Sequence, residues 1–261
     1  MTQTIPVVPS SLDSPRVRVV TMDHPWQWLM TGWRATLKTP IASLFYGVIF
    51  VVMGYFLTAM VSEHFHLALA LGTSFMLMGP FLAMGIYDLS RQLDAGKPVN
   101  LASSMFVWRD NLMAIMLFGI ILGLIAILWV RVSAVLFGVL VSGEEVTVDR
   151  EISAIFFSGS GLTFLLTFLV IGVILGTLVF SISVVSIPML LDRKIDFIMA
   201  VQTSLTAVRV NRGPLALWAA LIVVFTGVGL VTGYLGLAVT MPLIAHASWA
   251  AYRDLVEPAK E

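Results

Sequence analysis

Six long apolar runs, paired back to back, constrain this chain more than anything else in it: about 41–61, 67–88, 112–130, 161–190, 214–231 and 234–252. Crossing about 30 Å of hydrocarbon takes roughly 20 apolar residues in a helix, and lipid offers no partner to an unpaired backbone group. The expected fold class is therefore all-α: a polytopic membrane protein of six transmembrane helices arranged as three hairpins. A composition of 59% hydrophobic and 11% charged residues, with mean hydropathy +0.97, lies far from the soluble balance and agrees. Residues 1–24 read as a flexible arm, 25–255 as one membrane domain and 256–261 as a tail, no outer piece being long enough for its own core.

The start, MTQTIPVVPS, has no basic segment followed by an apolar one, so no removable signal is expected. With no cysteine at all, disulfides, thiolate metal sites, cysteine nucleophiles and Cys-x-x-Cys-His haem attachment are excluded.

Basic residues are retained on the cytoplasmic side during insertion, which orients the runs. With both termini inside, that side holds 13 of the 15 basic residues: Arg16, Arg18, Arg34, Lys38, Arg91, Lys97, Arg109, Arg193, Lys194, Arg209, Arg212, Arg253 and Lys260. Arg131 and Arg150 stay outside, beside Glu63, Glu144, Glu145, Asp149 and Glu151. Both termini are therefore expected in the cytoplasm.

A short amphipathic segment introduces each pair of runs. Before the first, Trp26, Met30, Trp33 and Leu37 recur at helical spacing, with Gln27, Thr31, Arg34 and Lys38 on the adjacent face. The pattern predicts an interfacial helix on the inner leaflet, ended by Pro40. Before the second, Asn100 is placed to cap a helix whose Leu101, Met105, Trp108 and Leu112 share a face. The third runs from Asp196 to Arg212, with Ile198, Leu205 and Val208 on its apolar side and Gly213-Pro214 at its end. Arg109-Asp110-Asn111 resembles Arg209-Val210-Asn211, and each second run carries a proline in its inner half: Pro80, Pro188 and Pro242. Together these features make a weak internal threefold repeat. Between the third and fourth runs, Arg131 interrupts the helix, and Ser133 to Val141 reads as a short outer extension within a loop 131–160.

Each proline frees the carbonyl four residues earlier, at Met76, Val184 and Ala238, and carbonyls at membrane depth can line an ion or substrate path. Simple kinks, satisfied by neighbours such as Ser186 and Thr240, are the plainer account. His246 is the one titratable side chain clearly within a run, and a His without a facing carboxylate reads as a hydrogen-bonded packing residue. Asp88 reads as a boundary residue or an ion-pair partner of Arg91. His64-Phe65-His66 is a nonspecific copper pattern, and no second intramembrane His faces His246 as a haem ligand, so no metal or cofactor is expected. No hydrolase elbow, His-Glu-x-x-His pair or aspartyl dyad appears, and no enzyme is expected. Ser181, Ser183 and Ser186 read as helix-to-helix hydrogen-bonding residues. Gly119-x-x-x-Gly123 and Gly172-x-x-x-Gly176 predict close backbone contact, either inside the second hairpin, which holds both, or at a dimer interface. Trp26, Trp28, Trp33, Trp108 and Trp249 are expected in an inner aromatic belt and Trp129 in an outer one.

Several segments carry a family resemblance. They are Pro25-Trp26-Gln27-Trp28-Leu29 with Gly32-Trp33-Arg34, Ser43-Leu44-Phe45-Tyr46-Gly47, Gly85 through Arg91, Phe180 through Arg193, and Pro242 with His246, Trp249, Tyr252 and Arg253. In these, over nearly the whole chain beyond the first twenty residues, it resembles a domain-of-unknown-function family of bacterial integral membrane proteins, sometimes labelled as cytochrome c oxidase subunit I. The resemblance implies a bacterial inner-membrane location and a six-helix fold, and brings no established activity. A haem-copper core needs several intramembrane histidines, so an accessory or assembly role fits that label better.

The expected function is that of a noncatalytic accessory, scaffold or assembly protein. Its partners are membrane lipids and a membrane complex such as a respiratory one, with no nucleic acid. Arg34, Arg109, Arg209 and Arg212, flanked by Trp33 and Trp108, are the expected lipid or partner contacts. The alternative is a small transporter or channel using Pro80, Pro188, Pro242 and His246.

Overall fold

The computed structural model describes residues 7–8, 15–60, 65–141, 156 and 158–258, and among them helix dominates. A short strand pair, β1 (Val7–Val8) and β2 (Val17–Arg18), is antiparallel, with Val8 opposite Val17. Then follow α1 (His24–Lys38), α2 (Pro40–Met60), α3 (Phe65–Leu82), α4 (Met84–Asp94), α5 (Leu101–Ser104) and a 3-10 turn at Val107–Asn111. The rest comprises α6 (Leu112–Leu140), α7 (Gly159–Ser183), α8 (Ser186–Asp192), α9 (Phe197–Val210), α10 (Arg212–Val231) and α11 (Leu237–Leu255).

Among the described residues, five stretches are long and apolar enough to cross a membrane: Pro40–Ala59, His66–Asp94, Val107–Leu140, Gly159–Asp192 and Arg212–Val231. The sixth expected run does form α11, but α11 is not among the five. Its C-terminal half carries His246, Ser248, Trp249, Tyr252, Arg253 and Asp254. Buried along most of its length, it has protein around it where a lipid-facing helix would need apolar side chains.

The chain divides into two compact units. The first comprises Met1–Val51, Pro80–Phe118 and Phe180–Glu261. Here α11 packs against α1, α4, α8 and α10. Glycine permits the close approach of α1: a methyl on Gly32 would stand 2.6 Å from the Leu243 carbonyl oxygen. The expected arm is docked over residues 15–23. Val17 and Val20 are buried, Val17 bridges to Val256, and the Glu257 amide donates to the Arg16 carbonyl at 3.0 Å.

Two of the lead-in segments differ from expectation. The second is broken into α5 and the 3-10 turn, although Asn100 does cap it by accepting from the Ser103 amide. The hydroxyls of Ser103 and Ser104 turn back onto the Asn100 and Leu101 carbonyls, a local competition that weakens a short helix. In the third, α9 begins at the Asp196 cap and buries the small residues Ala200, Thr203, Ser204 and Ala207, while Ile198 is exposed. Gly213-Pro214 lies inside the first turn of α10, where a missing amide costs no helical bond.

The second unit comprises Val52–Gly79 and Gly119–Val179. Its core is aromatic, with Trp129, Phe137, Phe164 and Phe168 packed together. The Trp129 indole donates to Thr73 Oγ1 at 2.7 Å, and His66 stacks on Phe137 with centroids 4.0 Å apart. Trp129 is thus a core residue and not a member of an outer belt. Arg131 does not interrupt α6, which continues to Leu140: the arginine is exposed on the helix surface, while Phe137 anchors the extension in the core. A methyl added to Gly123 or Gly176 would meet no atom of the described residues within 4 Å, and one on Gly172 would meet only the Trp129 ring. Gly172 therefore packs against the Trp129 ring and not against another glycine. His64 and the loop beyond Val141 lie outside the described residues.

Candidate functional site

The repeat read from the sequence has a spatial counterpart in the first unit. Helices α4 and α8, the C-terminal pieces of the second and fourth apolar runs, and α11, which spans the sixth, contact one another. Around them α5 and the 3-10 turn pack on α4, α9 packs on α8, and α1 packs on α11. Each lead-in segment thus rests on the hairpin before it, and the contact of α1 with α11 closes the cycle.

The three prolines meet different fates. Pro80 lies two residues before the end of α3, and a single residue, Ala83, separates α3 from α4. Pro188 stands in the first turn of α8, after a break at Val184–Val185 that α9 repairs. Ser204 accepts from the Val185 amide at 3.2 Å and donates to the Ser181 carbonyl at 2.8 Å. Pro242 sits inside an unbroken α11, and the carbonyl of Ala238 is pressed onto Gly47 of α2. Pro188 and Pro242 are buried, and Pro80 is half-buried.

His246 is buried between two hydroxyls, Ser43 Oγ at 3.0 Å from Nε2 and Ser90 Oγ at 2.6 Å from Nδ1. Ser43 continues to Thr39 Oγ1 at 2.9 Å, which donates to the Ala35 carbonyl, and Ser90 donates to the Ile86 carbonyl at 3.3 Å. A four-residue polar chain therefore links the start of α2, α11 and α4. Three hydroxyls and one imidazole N–H supply four hydrogens for these five contacts, so a neutral imidazole leaves the Ile86 carbonyl without its hydroxyl in the Nε2–H tautomer and the Ala35 carbonyl without its hydroxyl in the Nδ1–H tautomer.

The polar end of the unit is stitched by pairs. Buried Asp88 receives Arg91 at 2.7 Å and Gln92 at 2.7 Å, and the same arginine donates to the Leu191 carbonyl at 2.6 Å. The Tyr252 hydroxyl donates to Asp192 at 2.6 Å, and Arg253 spans Asp192 at 3.5 Å and Asp94 at 3.7 Å. The Trp249 indole donates to Asp94 at 2.8 Å, removing it from the expected belt. Trp28, also buried, donates to Asp254 at 2.8 Å. The two matched asparagines work alike. Asn111 donates to the Leu190 and Ile195 carbonyls, while Asn211 donates to the Arg18 carbonyl and accepts from the Val20 amide.

The four arginines singled out from the sequence behave differently from these. Arg34, Arg109, Arg209 and Arg212 are exposed, and none has an acidic partner among the described residues. Arg109 lies over the Phe106 ring at 4.5 Å and the Trp108 ring at 5.2 Å. On α1 the stripe of Trp26, Met30, Trp33 and Leu37 faces outward, and the helix buries Pro25, Trp28 and Gly32 instead. Sequence reasoning missed Ser43, Ser90, Asp94, Asp192 and Asp254. The only local signal was a carboxylate at the end of each second apolar run.

Among the described residues no group of three or more His, Cys, Asp or Glu is placed to hold a metal ion. Residues 67–192, just under half of the chain, match the model of the family described as Predicted integral membrane protein (DUF2189). The matched part contains the segments Gly85–Arg91 and Phe180–Asp192 of the sequence resemblance, and excludes Pro25–Gly47 and Pro242–Arg253. No curated protein and no solved structure matches the chain.

Proposed function

We propose that this chain, whose residues 67–192 carry the domain of a family of integral membrane proteins, is a noncatalytic scaffold or assembly protein of the bacterial inner membrane, with both termini cytoplasmic. One observation carries the reading: His246, Asp88 and Asp192, at the centre of the first unit, spend their hydrogen-bonding capacity on neighbouring side chains. By contrast, the buried Trp218 Nε1 and Thr240 Oγ1 have no partner among the described residues, so Thr240 does not satisfy a carbonyl as expected. His246 is held on both ring nitrogens, Asp88 by two donors, and Asp192 by Tyr252 and Arg253. Groups so committed hold helices together, and a catalytic or transport site would need some of them free for a ligand. The partners are lipids and the helices of a membrane complex, a respiratory complex being one candidate.

The test is quantitative mass spectrometry of what is retained when the tagged chain is purified gently from its native membrane, against an untagged control. A stoichiometric membrane complex is the expected result. A chain that emerges with lipid alone sinks the scaffold reading. Orientation is read separately, because the chain has no cysteine of its own. In intact cells an impermeant thiol reagent is expected to label Leu235→Cys and to leave Lys97→Cys unmodified; the reverse pattern would overturn the orientation.

A transporter is the second reading, favoured by the burial of Pro188 and Pro242 at the centre of the unit rather than on a lipid-facing surface. Against it, the Ala238 carbonyl freed by Pro242 is covered by Gly47, and the Val185 amide is taken by Ser204. Flux of small ions into proteoliposomes holding the purified chain would revive it.

A further inference from the structure

Two sets of arginines stand out among the cations of the first unit, where Arg16, Lys38, Lys97 and Lys194 are exposed as well. Arg91, Arg193 and Arg253 are tied to Asp88, Asp110, Asp192 and Asp94, and Asp254 is taken by His24 and Trp28. Asp196 caps α9 by accepting from the Met199 amide. Arg34, Arg109, Arg209 and Arg212 are exposed and have no acidic partner among the described residues.

Their chain positions put all four at one membrane surface. Arg34 precedes the first span, Pro40–Ala59, by less than two turns of α1. Arg109 lies in the opening turn of the third, Val107–Leu140. Arg209 and Arg212 flank the start of the fifth, Arg212–Val231. Successive spans cross in alternate directions, so the first, third and fifth begin on the same side. Beside these cations the surface is apolar. Trp33 and Leu37 are exposed next to Arg34, Phe106 lies beneath Arg109, and Ile198 is exposed on α9.

We infer that these four arginines form a surface that selects anionic phospholipid headgroups. This deepens the membrane-scaffold reading and rests on it for the placement of the rim at the cytoplasmic leaflet. Guanidinium groups take phosphate oxygens in the headgroup layer, while the neighbouring aromatic and aliphatic side chains enter the acyl boundary. At Arg109 the guanidinium carbon lies 4.5 Å from the Phe106 ring centroid and 5.2 Å from that of Trp108, which places the cation beside apolar surface, as a headgroup contact requires. An acidic soluble protein would complement the charge. It would not complement apolar side chains distributed over three lead-in segments at the starts of membrane spans.

The experiment is native mass spectrometry of the purified full chain equilibrated with equal amounts of phosphatidylglycerol and phosphatidylcholine. The wild type is compared with R34Q/R109Q/R209Q/R212Q and with the matching quadruple lysine variant. The wild type is expected to retain the anionic lipid preferentially. The glutamine variant is expected to lose that preference by at least about tenfold, from roughly fivefold per basic residue at an anionic surface, and the lysine variant to keep most of it. Should the quadruple glutamine variant fail to fold, R34Q/R212Q and R109Q/R209Q are read in its place. Equal preference in wild-type and glutamine chains overturns the inference. So does displacement of the bound lipid by millimolar inorganic phosphate, which would mark a free-anion site, or retention of an acidic soluble protein instead of lipid. Failure of the scaffold reading shows in the native-membrane purification and leaves this lipid ratio unchanged, so the two failures are distinguishable.

Discussion

Gly47 on α2 lies so close to the main-chain carbonyl of Ala238 on α11 that a methyl group there would stand 2.1 Å from the oxygen. The clash partner is backbone, held by the helix around it, and cannot swing aside as a side chain would. Gly47→Ala is therefore expected to destabilise the protein by about 1–3 kcal/mol through overpacking. Gly123→Ala, at a position open among the described residues, is expected to be neutral or to gain up to about 1 kcal/mol in helix propensity. Thermal unfolding of both variants in one detergent checks the pair, and equal behaviour would contradict the contact.

His246 joins Ser43 and Ser90, residues 203 and 156 positions away in the chain. Replacing it with Phe fills the space but leaves two buried hydroxyls without their imidazole partner. Each can fall back on a helix carbonyl or on Thr39, so the expected cost is about 2–3 kcal/mol, near the low end for two lost partners. The double variant with Ser90→Ala should cost less than the sum of the singles, because the second change removes a group already orphaned. Strict additivity in a denaturation cycle would mean that the hydrogen bond carries no energy.

Tyr252 and Arg253 both reach Asp192 but should differ in weight. The tyrosine hydroxyl is buried and donates at 2.6 Å, whereas the arginine side chain is 41% exposed and stands 3.5 Å away. Tyr252→Phe is expected to cost about 1–2 kcal/mol, as a buried donor to a charged acceptor is lost. Arg253→Gln is expected to cost less than about 1 kcal/mol, since solvent screens an exposed pair. A larger loss for the arginine variant would show that its bridge to Asp94 matters more than its exposure suggests.

Asn211 fastens the N-terminal segment by accepting from the Val20 amide at 2.8 Å and donating to the Arg18 carbonyl at 2.9 Å. Asn211→Ala should release that segment while leaving the spans intact. Hydrogen exchange is expected to accelerate at residues 17–20 by on the order of tenfold or more, from a loss of about 1–2 kcal/mol of local stability. Unchanged protection there would place the hold in the Val17–Val256 bridge instead.

How much of this was legible beforehand depends on the range of the interaction. The caps at Asn100 and Asp196 were readable because a side chain meets an amide three residues away. The end of α1 before Pro40 was readable because proline acts on its immediate neighbours. Trp129, Trp249 and Trp28 were misplaced in the belts because an indole at a span end looks the same whether it faces headgroups or donates to Thr73, Asp94 or Asp254. Arg131 was misread because arginine is a good helix former: its charge forbids burial of that face but leaves the backbone hydrogen bonds intact, and its face is open.

By itself, then, the sequence determined that the chain is helical and membrane-embedded, and which segments precede the spans. Apolar length and backbone satisfaction in hydrocarbon are properties of a single segment. Only the tertiary structure decided which face of each helix is buried, why α11 can be polar at one end, and which arginines are paired. Those outcomes depend on side chains far apart in the chain meeting at particular distances, and the spacing of residues along one segment carries no information about its partner on another.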